Sequence, residues 1–335
     1  MRPLRRLGLL LGGVACLALA QAQSLPVPPA ASRPDTARLD YDLRPRRIAE
    51  GTWVIEGEVA DFSRANGCNI INTAFIDTGA GVLVINTGPS RLYGEQQRRA
   101  IARVTAAPVL RVLQLNLHPD YFFGNQAWHD VPTQALPGSI AGMQAEGGAY
   151  ADNLYRLCGD WMKGSEATPA RQAIDPAALP RIEQVGSHRI ELLRLHGHTG
   201  DDLVLLDHTS GVLFAGGLVF AERVPTTPHA DFGAWLASLE ALERRLADGQ
   251  VRTVVPSHGP VHEGAAGLRQ TRDWLQWLAA TMQSAAERGL DLGEVLRTPV
   301  PERFARWAAQ PAELQRSLTQ WYPRVEQRVL AAPSR

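Results

Sequence analysis

The chain has 335 residues, 45% of them apolar, with 34 basic side chains against 34 acidic ones. Such a balance leaves no electrostatic footprint for nucleic acid or for an anionic membrane surface. The length and apolar content suffice to bury a core without help from disulfides.

The N-terminus, MRPLRRLGLLLGGVACLALAQAQS, sets Arg2, Arg5 and Arg6 ahead of an apolar run from Leu7 to Ala20, followed by Ala20-Gln21-Ala22. This pattern predicts a secretory signal peptide over 1–22, cleaved after Ala22. The run is too short for a transmembrane span, so the mature chain is expected in the periplasm or outside the cell with no membrane span. Cleavage leaves Cys68 and Cys158 in an oxidising compartment, either joined or separately buried. Residues 23–40 are rich in Pro and Ala and read as a linker, followed by a main domain over 41–262 and a helical extension over 263–335.

Within the main domain, "TWVIEG", "NIINTAFIDT" and "GVLVINTG" are short β-rich runs separated by tight turns, which predicts adjacent antiparallel strands. "RLYGEQQRRAIARVT" carries Leu92, Ile101 and Val104 at helical spacing, and the apolar run "PVLRVLQLN" follows as a buried strand. Residues 128–182 give few periodic signals beyond a helix at "YADNLYRLCGDWM". Three further strands follow at "RIELLRLH", "DLVLLDH" and "GVLFAGGLVF". After them "DFGAWLASLEALERRLADG" is an amphipathic helix capped by Asp231 and stopped by Gly249. "RTVVPSHGP" is a last strand, and 262–333 reads as almost wholly amphipathic helix. Strands, helix, strands, helix, strand and helices in this order fit two sheets covered by helices on their outer faces.

Three loops, each following a predicted strand, carry side chains of metal-ligand type: Asn116-Leu117-His118-Pro119-Asp120-Tyr121, Gly197-His198-Thr199-Gly200-Asp201 and Pro256-Ser257-His258-Gly259-Pro260. Imidazole and carboxylate are zinc ligands, and strand ends hold them rigidly. His196 lies two residues before His198 and on a strand would share its face, as a supporting partner. His229, in "TTPHAD", is a substitute ligand or a substrate contact in the same reading.

On these loops the chain resembles the metallo-β-lactamase superfamily, with its H-x-H-x-D-H and G-H-T motifs, a late strand-end Asp and a terminal His. The phrases "DFSRANGCNIINTAF", "GPSRLYGE", "ADNLYRLCGDWM" and "RVPTTPHADF" are similar to the exported subgroup called quinoprotein relay system zinc metallohydrolases. The resemblance implies an α/β fold, an αββα four-layer sandwich with a helical C-terminal extension, and hydrolysis of an ester, thioester, lactone or amide of a small-molecule substrate. It also implies a periplasmic quinoprotein dehydrogenase as partner. Residue by residue, His118 and His198 match two of the three histidines of the first metal, and Asp120 and His258 match ligands of the second.

The departures carry equal weight. Asn116 and Tyr121 stand where the pattern has histidines, Gly217 where it has the bridging Asp, and Asn86 where it has the supporting Asp of an early turn. A carboxamide is a poor zinc ligand, a phenol must first lose its proton, and glycine offers nothing. Without the bridging carboxylate a two-metal clamp is not expected. The residues leave two readings open: at most one zinc held among His118, Asp120, His198 and His258, with Asp120 as ligand or as general base, or a metal-free pseudo-hydrolase that binds a ligand or a partner.

Overall fold

The structure, a computed structural model, describes residues 33–331. The expected signal peptide, the first part of the expected linker and the last four residues lie outside the described residues. Two sheets make the centre. The first runs β1 (Arg46–Ala49), β2 (Thr52–Ile55), β3 (Thr73–Asp77), β4 (Val82–Ile85), β5 (Val109–Leu113), β6 (Thr133–Ala135) and β7 (Gln172–Ala173), in that spatial order. Its first four strands pair antiparallel and the rest pair parallel. The second holds β8 (Arg181–Val185), β9 (His188–Leu195), β10 (Asp202–Asp207), β11 (Val212–Phe220), β12 (Thr253–His258) and β13 (His262–Glu263), ordered 13-12-11-10-9-8. Only β11 and β12 are parallel in it.

The helices are α1 (Arg91–Ala102), α2 (Pro119–Phe122), α3 (Pro137–Cys158), α4 (Phe232–Ala247), α5 (Ala266–Glu287), α6 (Leu292–Val295), α7 (Glu302–Ala305) and α8 (Ala312–Ala331). One apolar cluster fills the space between the sheets, with Val54, Ile76, Leu83 and Leu113 from the first facing Leu192, Leu205 and Phe214 from the second. A second cluster joins the outer face of the second sheet to α4, α5 and α8 through Val204, Leu213, Trp235, Leu239, Trp274 and Leu318. Two more cover the outer face of the first sheet with α1 and α3. The result is a four-layer αββα sandwich. Every residue of β10 and β11 is buried, which is why both read as unbroken apolar runs rather than as alternating ones.

One sequence expectation changes. The "irregular" middle contains α3, 22 residues long, whose buried face is Ser139, Met143, Gly147, Leu154 and Cys158. Its glycines lower helix propensity, yet Gly142 allows close packing, since a Cβ there would stand 2.9 Å from Leu117. Tertiary contact, not propensity, makes this helix. The C-terminal stretch is helical as expected, in four segments: Gly289 (φ +69°) ends α5, and two single-turn helices precede α8. The helix at 232–247 begins as expected, with Asp231 accepting from the Ala234 N–H. Cys68 and Cys158 are joined in a disulfide that ties the loop before β3 to the end of α3. Residues 35–40 form a backbone-bonded turn. Among the described residues no helix is long and apolar enough to cross a membrane.

Candidate metal centre

The C-terminal ends of β5, β9, β11 and β12 meet at one edge of the sandwich, and the loops leaving them carry the side chains singled out in the sequence. After β5, the Asn116 carboxamide accepts from the His118 N–H (2.9 Å) and Pro119 starts α2, with Asp120 in its first turn. After β9, Asp202 accepts from the N–H groups of His198 (3.1 Å) and Thr199 (2.9 Å) and from the Thr199 hydroxyl (3.0 Å), which fixes the G-H-T loop. Gly197 is required there: at φ +136° its Cβ would fall 2.2 Å from the Trp235 backbone. After β12, His258 Nδ1 lies 2.8 Å from the Ile70 carbonyl.

His118, Asp120, His198 and His258 are all buried within this edge, but they are held as pairs. His118 and His198 lie edge to face with ring centroids 4.5 Å apart. Asp120 Oδ2 lies 3.5 Å from His258 Nε2 and is otherwise without a hydrogen-bond partner. Each imidazole is engaged elsewhere: His198 Nδ1 faces the Asn116 amide at 3.2 Å, and His118 Nε2 faces His229 Nδ1 at 3.0 Å. His229 Nε2 in turn lies 2.8 Å from Glu146 Oε1 on α3.

Burial dominates the electrostatics. It lifts the Asp120 carboxyl to about 7 against the opposing hydrogen bond of its own backbone and the Arg223 charge. The same desolvation presses His118 and His258 well below the usual imidazole range and takes His198 down to about 3. Tyr121 is pushed well above the usual phenol range, again chiefly by burial. Its hydroxyl lies between Asn116 and Ser257 without a full hydrogen bond to either, so it stays a neutral phenol.

The replaced positions explain the rearrangement. At Gly217 an added Cβ would stand 1.8 Å from His198 Nδ1 and 2.7 Å from the Asn116 amide nitrogen. The imidazole and carboxamide fill the room in which a bridging aspartate would begin. The four replaced positions, expected to line the pocket, lie behind it: Asn116, Tyr121 and Gly217 are buried beneath the cavity lining, and Asn86, buried at φ +57°, accepts from the Leu115 N–H through its side chain and from Gln97 through its carbonyl, tying β4 to the strand beside it. His196 does not support His198 either. β9 ends at Leu195, so strand alternation no longer applies, and the exposed ring turns to the Gly200 carbonyl (2.6 Å).

A catalytic zinc takes three protein ligands and a structural one four. The substitutions leave two donors for each metal of the pattern, His118 with His198 and Asp120 with His258. Among the described residues no three His, Cys, Asp or Glu side chains are arranged to hold a metal. As arranged, the four donors form two separate pairs and not the three- or four-donor set that a zinc site requires.

What remains is a cavity of about 270 Å³ lined by His118, Asp120, His258, His229, Glu146 and Arg223, with Phe62, Ile70, Pro119 and Pro228 as apolar walls. Glu146 and Gln320 line it from outside every stretch singled out in the sequence, and Tyr150 and Arg223 from within "YADNLYRLCGDWM" and "RVPTTPHADF", where no role is expected of them. Arg223 is buried and committed. Its Nε donates to the Ala60 carbonyl (2.8 Å), its Nη1 to the Val224 carbonyl (3.1 Å), and its Nη2 faces Glu313 (3.4 Å) and Asp61 (3.7 Å). Helix α8 clamps the loop bearing Arg223 and His229: Ser317 bonds Thr227, Trp321 Nε1 donates to the Thr227 carbonyl, and Gln320 donates to the Pro228 carbonyl. The C-terminal extension is thus one wall of the pocket.

With the geometry in place, comparison with known proteins gives a consistent picture. The family described as the metallo-beta-lactamase superfamily matches residues 66–258. Acyl-coenzyme A thioesterase MBLAC2 of Homo sapiens is 23% identical over 229 residues, 62% of this chain and 71% of that one. Among solved structures, a metallo-beta-lactamase from Pontibacter korlensis is 22% identical, covers 70% of this chain and 99% of its own, and superposes with a TM-score of 0.54. The metallo-beta-lactamase FIM-1 from Pseudomonas aeruginosa in its mono-zinc form is 18% identical, with 70% and 95% coverage and a TM-score of 0.54. At these identities the structural likeness is one of fold. The helices after residue 258, α8 with its pocket wall among them, lie beyond the matched family region.

Proposed function

The chain belongs to the metallo-beta-lactamase superfamily, and we propose that within it this hydrolase-like protein is an exported small-molecule binder whose metal centre has been rebuilt as a hydrogen-bonded ligand pocket. One observation carries the reading: the His198 ring and Asn116 amide occupy the place of the missing bridging carboxylate. Reverting single ligands would therefore not restore the centre. Export is supported by the basic, apolar and small-residue order of 1–22 and by the Cys68–Cys158 disulfide, which suits an oxidising compartment. The subgroup resemblance makes a periplasmic quinoprotein dehydrogenase the partner with which the ligand is exchanged.

A second reading is a hydrolase holding a single zinc and cleaving a thioester or related acyl bond. It is favoured by the 3.5 Å separation of Asp120 Oδ2 and His258 Nε2, a spacing that two donors on one zinc adopt, and by the thioesterase name of the human relative. Turnover separates the two. With added zinc, the mature protein is expected to hydrolyse neither an acyl-coenzyme A nor a nitrophenyl ester above the buffer rate. Turnover that is lost in His198→Ala would establish the hydrolase instead.

A further inference from the structure

We propose that a groove beside α1, apart from the cavity at the strand ends, binds a small organic molecule through a phosphate group. The groove has a volume of about 680 Å³ and shares no residue with that cavity, so the inference stands whether or not the cavity holds metal. One wall is the face of α1 that carries Leu92, Gln96, Arg99 and the C-cap Arg103, spaced four, three and four apart as a single helical face requires. Residues 38–43 form a strap opposite, and 160–163, beyond α3, close one end. The strap is held in a fixed shape. Gln96 accepts from the Tyr41 N–H (2.8 Å) and donates to the Leu39 carbonyl (2.9 Å), while the Tyr41 hydroxyl donates to the Gly67 carbonyl (2.9 Å). The Tyr41 ring lies against Trp161 with centroids 4.3 Å apart. Leu39 and Asp42 both adopt left-handed φ, +53° and +49°, a conformation that a leucine rarely takes and that persists only where its surroundings impose it.

The charges of the groove name the ligand group. Five basic side chains line it against three acidic ones. Three of the bases are engaged by acids: Arg38 by Asp35, Arg91 by Glu95 and Lys163 by Asp160. The other two acids are also committed, Asp42 to Arg44 and Asp40 to the Asp42 N–H. Arg99 and Arg103 are left over. Among the described residues neither is paired with a carboxylate, and Arg103 gives one N–H to the Leu43 carbonyl (3.0 Å). Like charges one turn apart on a helix repel. A phosphate dianion between them removes that repulsion and accepts from both guanidiniums, each a rigid fork of donors suited to its oxygens. A monocarboxylate neutralises only one of the two. Leu39, Leu43 and Leu92 offer apolar surface to the organic remainder, and a concave site of this size suits a small molecule better than the flat face of a protein.

The test is a calorimetric titration of the mature full-length protein, in a phosphate-free buffer of low ionic strength, with phenyl phosphate, inorganic phosphate, sodium benzoate and a polyglutamate peptide. Phenyl phosphate is expected to bind on the order of ten-fold more tightly than benzoate and about three-fold more tightly than inorganic phosphate, and to weaken as salt is added. Arg99→Gln and Arg103→Gln should each weaken it about three-fold, and the double variant about ten-fold. Both side chains are exposed, so thermal melting of these variants should match wild type. Arg288→Gln, exposed at the end of α5, removes the same charge elsewhere and should leave binding unchanged. No binding of phenyl phosphate, undiminished binding in the double variant, or an equal loss in Arg288→Gln would overturn the site. Benzoate or inorganic phosphate binding as tightly as phenyl phosphate would overturn the ligand class. Tighter binding of polyglutamate would overturn the small-molecule assignment and make the groove a docking surface for an acidic chain.

Discussion

At one end of the sandwich His188 Nδ1 lies 2.7 Å from Asp207 Oδ2, and at the other His258 Nε2 lies 3.5 Å from Asp120 Oδ2. All four residues are buried. Asp207 also accepts from the Ser210 hydroxyl and the Thr209 N–H. Burial pushes its carboxyl up, but the His188 and Ser210 hydrogen bonds prevail and hold it below the usual range. Asp120 has one oxygen without a partner, and burial carries it up to about 7. The same two side-chain types therefore make a closed structural lock in one place and an incompletely bonded pair in the other. Completeness of hydrogen bonding, not residue identity, separates a stabilising pair from a binding one.

Substituting the two aspartates sharpens that contrast most. Asp207→Ala strands His188 and should cost about 3 kcal/mol or more in urea denaturation, while Asp120→Ala should change stability by no more than about 1 kcal/mol. Equal losses would mean that the Asp120 pair is structural as well. Next in size is Gly217→Ala. Its methyl meets the His198 ring and should cost about 2 kcal/mol by thermal melting; a neutral result would show that His198 moves aside freely and is not held by the Asn116 amide.

The two aspartates should also pull stability in opposite directions with pH. Asp120 titrates near 7 in the fold against 3.8 as the ordinary value. The folded state holds the extra proton between those values, and this contribution to stability is lost as pH rises through 7. Asp202, raised to about 7 by burial, acts in the same sense. Asp207 is depressed, so its contribution is present above 3.8 and lost as pH falls through its folded value. The depressed His118, His198 and His258 favour the fold above 6.5 and oppose it below. Measured against wild type, Asp120→Asn should remove part of the decline between pH 4 and 7, and Asp207→Asn part of the loss on acidification. Coincident difference curves for the two variants would contradict the assignment. The smallest effect is expected at His196, where substitution by alanine should cost less than about 0.5 kcal/mol and leave ligand binding intact, because the ring is exposed.

Legibility in the sequence followed the same divide. Strand ends carrying His118, His198 and His258 could be read because each follows an apolar run and a turn signal, and the two-sheet order could be read from the runs themselves. The cavity wall opposite them could not. Glu146 lies on a glycine-rich helix that periodicity does not reveal, Arg223 lies on a loop positioned by α8, and Gln320 belongs to α8 itself, whereas His229 on the same loop was legible as a candidate from its histidine alone. These residues meet through contacts between elements far apart in the chain, which no local pattern encodes. His196 went astray for the opposite reason: a local rule was carried one residue past the end of its strand.

The most direct measurement is a calorimetric titration of zinc into the mature, chelator-treated protein, with His198→Ala as control. No stoichiometric binding tighter than about 1 µM is expected in either protein, because each metal of the pattern retains only two donors. One or two equivalents bound in the submicromolar range, and lost in His198→Ala, would contradict it and return the protein to the zinc hydrolases.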